Sequence, residues 1–326
     1  MRTAWLGMAL SLCSMLLANA SQAAGIAKLW SDATAIAHDQ LPRATRAVGA
    51  LAERSSKVVI ATVASGVAQV KVKRPHQHLM TDPQIDAVVQ QLEPGDIILE
   101  RTDGYLSNAF ITGFWGHVIF NLGTFDEAAR YFDDAQIRGF LAERGFRDFA
   151  QFVSAQRPAA VAAWRVGTVA PAQPIRMIEA DGVVGRVVLY PASEALASDN
   201  VAVLRPHALS RLDKMLALVD ALGYLGVPYD MDFDTRTDSA VVCTELIARA
   251  YTGSDHKQGL RFDVDTLAGG RTMIYPNRIA EMYQRERMQL DRQLDFVTFV
   301  TAHDDARAIV ADEAAFSTSH TWQRLL

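Results

Sequence analysis

The chain has 326 residues, 50% hydrophobic and 21% charged, which is ordinary globular composition and ample for a real core. A formal net charge of -5 with no Lys/Arg-rich block argues against nucleic-acid binding, which normally needs a basic face. Neither an internal repeat nor a low-complexity block occurs, so repeat architectures are set aside as well.

The chain opens as a targeting segment. Arg2 supplies a positive start, "AWLGMALSLCSMLLA" an apolar stretch, and "ANA" at 18–20 or "SQA" at 21–23 small residues for cleavage. The apolar run is shorter than the ~20 residues a spanning helix needs, which favours a cleaved signal peptide over 1–24 rather than a retained anchor. Leu12 before Cys13 argues against a lipoprotein signal. Export to the periplasm or beyond is therefore expected. Of the 2 cysteines, cleavage would remove Cys13 and leave Cys243 alone. A lone thiol in an oxidising compartment is either reactive or intermolecular, or else an inert buried residue.

Residues 25–85 form an expected N-terminal helical extension, with Ala and Leu at helical spacing and a break at Pro42. Its run "KVVIATVASGVAQVKV" at 57–72 fits a strand or a buried helix equally well. "RPHQHLMTDPQ" is a polar, proline-punctuated connector. His76 and His78 within it lack the companions of a metal site. A catalytic domain is expected over 86–326. It starts with the strand "PGDIILERT" and a second strand from Gly116. A helical insertion at about 125–156 carries an aromatic stripe that reads as core packing. Strands return in "AAWRVGTV", "IRMIEADG", "GRVVLYP" and "NVAVLRP". A helix "HALSRLDKMLALVDALGYLG" ends at Gly223 or Gly226, and the tail from Pro276 mixes helix, strand and helix.

In "SAVVCTELIARAYTG", Asp238 or Ser239 is positioned to cap a helix that Gly253 ends, with Val242, Leu246 and Ala250 as its buried stripe. Cys243 falls in the first turn, where N–H groups lack helical partners and the dipole favours thiolate over thiol. The same N–H groups could hold an oxyanion. A thiolate nucleophile needs a proton acceptor that later protonates the leaving group. Of 8 histidines, His38, His207, His256, His303 and His320 have undistinguished contexts. His117 is on a strand, sharing a face with Ile119 and Asn121 while Val118, Phe120 and Leu122 take the other. A third polar group should orient the imidazole, and Glu179, between Ile178 and Ala180 on a strand, is the candidate.

"LEPGDIILERTDGYLSNAFITGFWGHVIF", "RMIEADGVVGRVV" and "LGYLGVPYDMDFDTRTDSAVVCTELIARAY", in this order, resemble the circularly permuted branch of the NlpC-type papain-like cysteine peptidases. YiiX-like proteins are the members they resemble most. In ordinary members the cysteine helix precedes the histidine strand; here His117 and Glu179 come before Cys243. The resemblance covers roughly residues 90–255, and departs from the pattern at Thr244 and in the long helical insertion after His117. It implies an α+β fold, an antiparallel sheet packed on the helix that carries Cys243, with extra helices. It also implies Cys243 as nucleophile, His117 as base and Glu179 as orienting residue, with Tyr229 and Asp230 beside the site in a supporting role.

The expected activity is amide cleavage by an exported cysteine hydrolase through a thioester acyl-enzyme, with no metal or organic cofactor. Its substrate would be a peptidoglycan peptide or an N-acylated compound of the cell envelope. Two alternatives are a lipid-directed acyl hydrolase or acyltransferase using the same residues, and a non-catalytic envelope binding protein of the same fold. Asp230, Asp232, Asp234 and Asp238 lack the spacing of a calcium loop and read as a solvated segment.

Overall fold

The computed structural model describes residues 77–105, 108, 113–165, 173–236, 239–266, 270–304 and 306–322. The signal peptide expected over 1–24, the extension up to residue 76, the undecided run 57–72 and Asp238 lie outside the described residues.

Seven segments rich in β-branched residues pair into one sheet: β1 (Ile97–Arg101), β2 (His117–Asn121), β3 (Ile175–Asp181), β4 (Arg186–Pro191), β5 (Asn200–Pro206), β8 (Leu294–Ala302) and β9 (Ala308–Ala311). Their order is β4-β3-β2-β1-β5-β8-β9, and every neighbouring pair is antiparallel. The short strands β6 (Asp265–Thr266) and β7 (Thr272–Met273) form a separate ribbon. β9, only four residues long with Val310 exposed, carried too weak a pattern to be read from the sequence.

Both faces of the sheet are covered, and alternation along each strand sorts the residues between them. Ile97, Leu99, Val118, Phe120, Ile178, Ala180, Ala202 and Leu204 enter the larger core. Ile98, Ile119, Met177, Val201 and Val203 enter a smaller one. The smaller core is closed by α1 (Asp82–Val89), through Ile85 and Val88, and by the single turn α6 (Ala192–Ala195). The stretch read as a polar connector therefore includes the start of a helix, boxed by Thr81 and Gln84, with Leu79 and Met80 buried. The boundary expected at residue 85 falls inside α1, because Leu79 to Val88 share a core with the sheet.

The larger core is closed by the remaining helices. Residues 125–156 are helical as expected, in three pieces: α2 (Phe125–Tyr131), α3 (Ala135–Ala142) and α4 (Phe149–Gln156). Asp134 and Asp148 cap the second and third through the Ile137 and Gln151 N–H groups, and Gly145 takes the left-handed conformation between them. Their aromatic residues Phe132, Phe149 and Phe152 are buried, as core packing requires. "AAWRVGTV" does not begin as a strand: Ala162–Arg165 belong to α5 (Pro158–Arg165). Val161 and Trp164, three residues apart, bury one helical face, and the Trp164 indole N–H donates to Gly123 O. The helices α7 (Arg211–Leu222), α8 (Cys243–Ala250), α9 (Pro276–Glu286) and α10 (Glu313–Ser319) complete the layer. Among the described residues, no helix is long and apolar enough to cross a membrane.

α8 lies against the centre of the sheet. Leu246, Ile247 and Ala250 share the core with Val118, Phe120 and Ile178, and Tyr251 stacks on Phe120 with centroids 5.5 Å apart. Leu246→Ala should cost about 2–5 kcal/mol, measurable as a lower urea midpoint with an unchanged slope.

Candidate active site

Three elements far apart in the sequence bring Cys243, His117 and Glu179 together. Cys243 is the first residue of α8 and is buried. The helix start differs from the sequence expectation: Val242, not Asp238 or Ser239, is the capping position, and its side chain can accept nothing. The Glu245 carboxylate, in the first turn, pairs instead with Arg249 one turn on, at 2.6 Å. Tyr251 ends the helix rather than Gly253, which packs on the backbone of Gly259. Thr244 donates its hydroxyl to Ile274 O at 2.6 Å.

His117 is the first residue of β2, opposite Glu100 of β1. Glu179 sits within β3, opposite Val188 of β4. Between β2 and β3 the backbone ladder is confined to Phe120↔Ile178 and Asn121↔Met177. Beyond it, the two strands are joined by side chains: His117 Nε2 pairs with Glu179 Oε2. The imidazole also stands beside the Cys243 side chain, near enough for each to act on the other's charge. With Nε2 taken by the carboxylate, Nδ1 is the nitrogen left for sulfur. Strict alternation would group His117 with Ile119 and Glu179 with Met177, on the side away from α8. The three groups meet because His117 stands at a strand end where the ladder has stopped.

Burial alone would lower the His117 pKa, but the neighbouring Cys243 and Glu179 outweigh it and hold the imidazole well above its ordinary range. Burial pushes the Glu179 carboxyl up, against the pull of His117, with Asp181 and Glu100 adding to the rise. Both His117 and Glu179 thus hold their proton more tightly than the free groups do.

Tyr229 and Asp230, the expected supporting residues, do different things. Tyr229 bridges to Val241 and so runs beside the start of α8. Burial raises its phenol, with further contributions from Cys243, Asp181 and Asp230. Its ring lies against Gly182, where an added Cβ would stand 3.3 Å away, and against Phe233 with centroids 6.2 Å apart. Asp230 is a turn-former. Its carboxylate accepts the N–H groups of Asp232 and Asp234, and between these Phe233 takes a left-handed φ of 51°. Asp234 in turn pairs with Arg236. No group of three or more His, Cys, Asp or Glu residues suited to a metal ion occurs among the described residues.

Two acidic groups near the site were not picked out from the sequence, Glu100 and Asp181. Asp181 follows Glu179 by two residues, and the period of a strand was the signal that could have found it. It accepts the Tyr190 hydroxyl at 2.7 Å and the Val183 and Val184 N–H groups at the β3–β4 turn.

A cysteine beginning a helix that packs on an antiparallel sheet, facing a strand histidine held by a carboxylate, defines the papain-like class of cysteine hydrolase. The chain order His117, Glu179, Cys243 is the permuted one. The family model of the permuted papain-like amidase enzymes, YaeF/YiiX, C92 family, matches residues 91–263, and the chain belongs to that family. It is a cysteine amidase/peptidase-type hydrolase. The crystal structure of the metalloprotein yiiX from Escherichia coli O157:H7 is similar at 15% identity, over 68% of this chain and 97% of that one, with a TM-score of 0.33. Comparison with curated proteins gave no match.

If His117 carries the proton for the leaving group, activity should persist until pH rises through its raised pKa, then fall as the imidazolium is lost. Glu179→Gln removes one of the two partners that raise that pKa. Its alkaline limb in kcat/KM should therefore move to lower pH, with a loss of about 10- to 100-fold at the optimum. A pH–rate profile of the two proteins checks both.

Proposed function

We propose that this chain is an exported amidase in which Cys243 is the nucleophile, His117 the acid–base and Glu179 the group that orients and charges the imidazole. The observation that carries this reading is the His117 ring paired with Glu179 and standing beside Cys243, close enough for the two to act on each other's charge. Sulfur attacks the amide carbonyl carbon, and the oxyanion is held by N–H groups of the first turn of α8, which have no helical partners. The C–N bond breaks as the His117 proton passes to the leaving amine, leaving a thioester on Cys243. Water then loses a proton to His117 and attacks the thioester. The acid is released and the thiolate–imidazolium pair is restored.

The positive and apolar start of the chain supports export, and an exported amidase would meet peptides and N-acylated compounds of the cell envelope. The surroundings of the thiol favour an amide carrying an apolar group. Tyr229 and Phe233 pack together there, and Val183 and Val184 stand exposed on the turn that touches Tyr229. The same surface would suit transfer of a lipid acyl group, which is the second reading. Product analysis separates the two: free acid with water, or an acyl ester or amide with an added acceptor.

Incubating the mature protein with envelope extracts and N-acyl amino acids, then mapping adducts by mass spectrometry, should place an acyl thioester on Cys243. Cys243→Ala should lower turnover by more than about 10³-fold while leaving the fold intact. Full activity in that variant would sink the reading.

A further inference from the structure

The four residues Ile274–Asn277 touch both halves of the site, and they lie outside the 91–263 segment matched by the family. At one end, Ile274 O accepts the hydroxyl of Thr244, the neighbour of Cys243, at 2.6 Å. At the other, Asn277 Oδ1 accepts the N–H groups of Phe114 at 3.0 Å and Trp115 at 3.4 Å, the residues that lead through Gly116 to His117. Asn277 Nδ2 donates to Glu281 Oε1 at 3.1 Å and to His320 O at 3.0 Å. Oδ1 thus faces two donors and Nδ2 two acceptors, so only one orientation of this amide fits. The side chain is 5% exposed.

The local backbone is built around this contact. Gly113 has φ of 95°, and a Cβ there would lie 2.2 Å from Asn277 Cγ, so only glycine lets the amide in. Pro276 begins α9 and fixes its own φ, which keeps the link between Ile274 and Asn277 short and stiff. Phe114 and Trp115 are further tied by Arg101 Nη1 to Phe114 O at 2.8 Å and by the Trp115 indole N–H to Ser319 Oγ at 2.9 Å.

Apart from the contact of His117 with Cys243 itself, α8 and β2 meet through apolar side chains such as Leu246 and Phe120, and such contacts are not directional. The β2–β3 ladder stops short of His117. Directional bonds come from Tyr251, whose hydroxyl donates to Gly95 O at the far end of α8, and, at the catalytic end, from Ile274 and Asn277. We propose that Asn277 is a positioning residue: with Ile274 it spans the two catalytic elements and sets the place of His117 relative to Cys243. This rests on the Cys243–His117 reading above. It makes the C-terminal part of the chain, beyond the family segment, a component of the active site.

Displacements of about 1 Å in a catalytic pair can cost about 10²-fold in rate. The test is the rate of Cys243 alkylation by iodoacetamide from acid to alkaline pH, together with kcat and KM on a substrate found by the screen above. Asn277→Ala should slow alkylation at neutral pH by about 10- to 100-fold, recover at alkaline pH, and lower kcat by a similar factor with KM within about twofold. Asn277→Asp keeps an accepting oxygen for Phe114 and Trp115 and should fall between that variant and the parent. Thr244→Val cuts the other end of the link and should shift the alkylation profile in the same direction. It carries the test alone if Asn277→Ala fails to fold. Tyr283→Phe, which loses the α9–α10 bond to Glu313, should lower stability and leave the profile in place. A folded Asn277→Ala with the parent's profile and kcat overturns the proposal, as does a Thr244→Val profile identical to the parent's, or a Tyr283→Phe profile shifted as far as that of Asn277→Ala. Cys243→Ala that keeps activity overturns the catalytic reading and the proposal with it. An inactive Cys243→Ala beside an unaltered Asn277→Ala overturns the proposal alone.

Discussion

The imidazole of His117 stands between a carboxylate and a thiol, and the architecture is arranged so that both can reach it. A charge taken out of water is tolerated only beside a compensating charge and hydrogen bonds. Glu179 and Cys243 provide these from β3 and α8, elements separated by more than sixty residues in the chain. The surrounding structure can be understood as the means of holding three groups together that no local stretch of sequence could assemble.

The sheet does this by stopping. Where β2 and β3 are laddered, their side chains alternate between two cores and the backbone polar groups are consumed. One turn further on, the ladder gives way to the His117–Glu179 pair, and the start of α8 closes over it. Glu100, Asp181 and Tyr190 extend the polar cluster outward. Each added negative charge resists a second ionised carboxylate and favours a proton shared near the imidazole. Apolar packing of α8 on Val118, Phe120 and Ile178 sets its distance from the sheet, while hydrogen bonds through Ile274 and Asn277 limit its sliding.

The candidate site was legible to an uneven degree. Cys243 could be picked out because it is the one cysteine left after the apolar N-terminal segment, in front of a helical pattern. His117 could be picked out because it is on a rigid strand that could aim an imidazole across a cleft, and because Gly116-His117-Val118 resembles the family's histidine strand. The helix boundaries were less legible. Ser239 and Gly253 carry the right chemistry for caps, yet the helix starts after Val242 and ends at Tyr251, and the glycine the close approach requires is Gly259, where an added Cβ would stand 2.3 Å from Tyr251 O and 2.4 Å from Gly253 N. Residues 125–156 read as helical, but their division into three helices at Asp134, Gly145 and Asp148 emerges only once the capping bonds are seen. "AAWRVGTV" reads as a strand because its opening is too short for a helical period to emerge, and the core contact of Trp164 decides the matter.

By itself the sequence determined the residue types, their order and the periods that make strands of 97–101, 117–121 and 175–181. Those properties depend on neighbours within a few positions. It also carried the permuted order His117, Glu179, Cys243, since order needs no coordinates. Tertiary structure alone decided that the His117 ring stands beside both partners and that Asp230 shapes a turn while Tyr229 lies beside the nucleophile. It also decided that Asn277, 160 residues after His117, braces the strand that leads to it. The reason is physical: hydrogen bonds and charge pairs act over a few ångströms of space, and the fold, not spacing along the chain, decides which groups come that close.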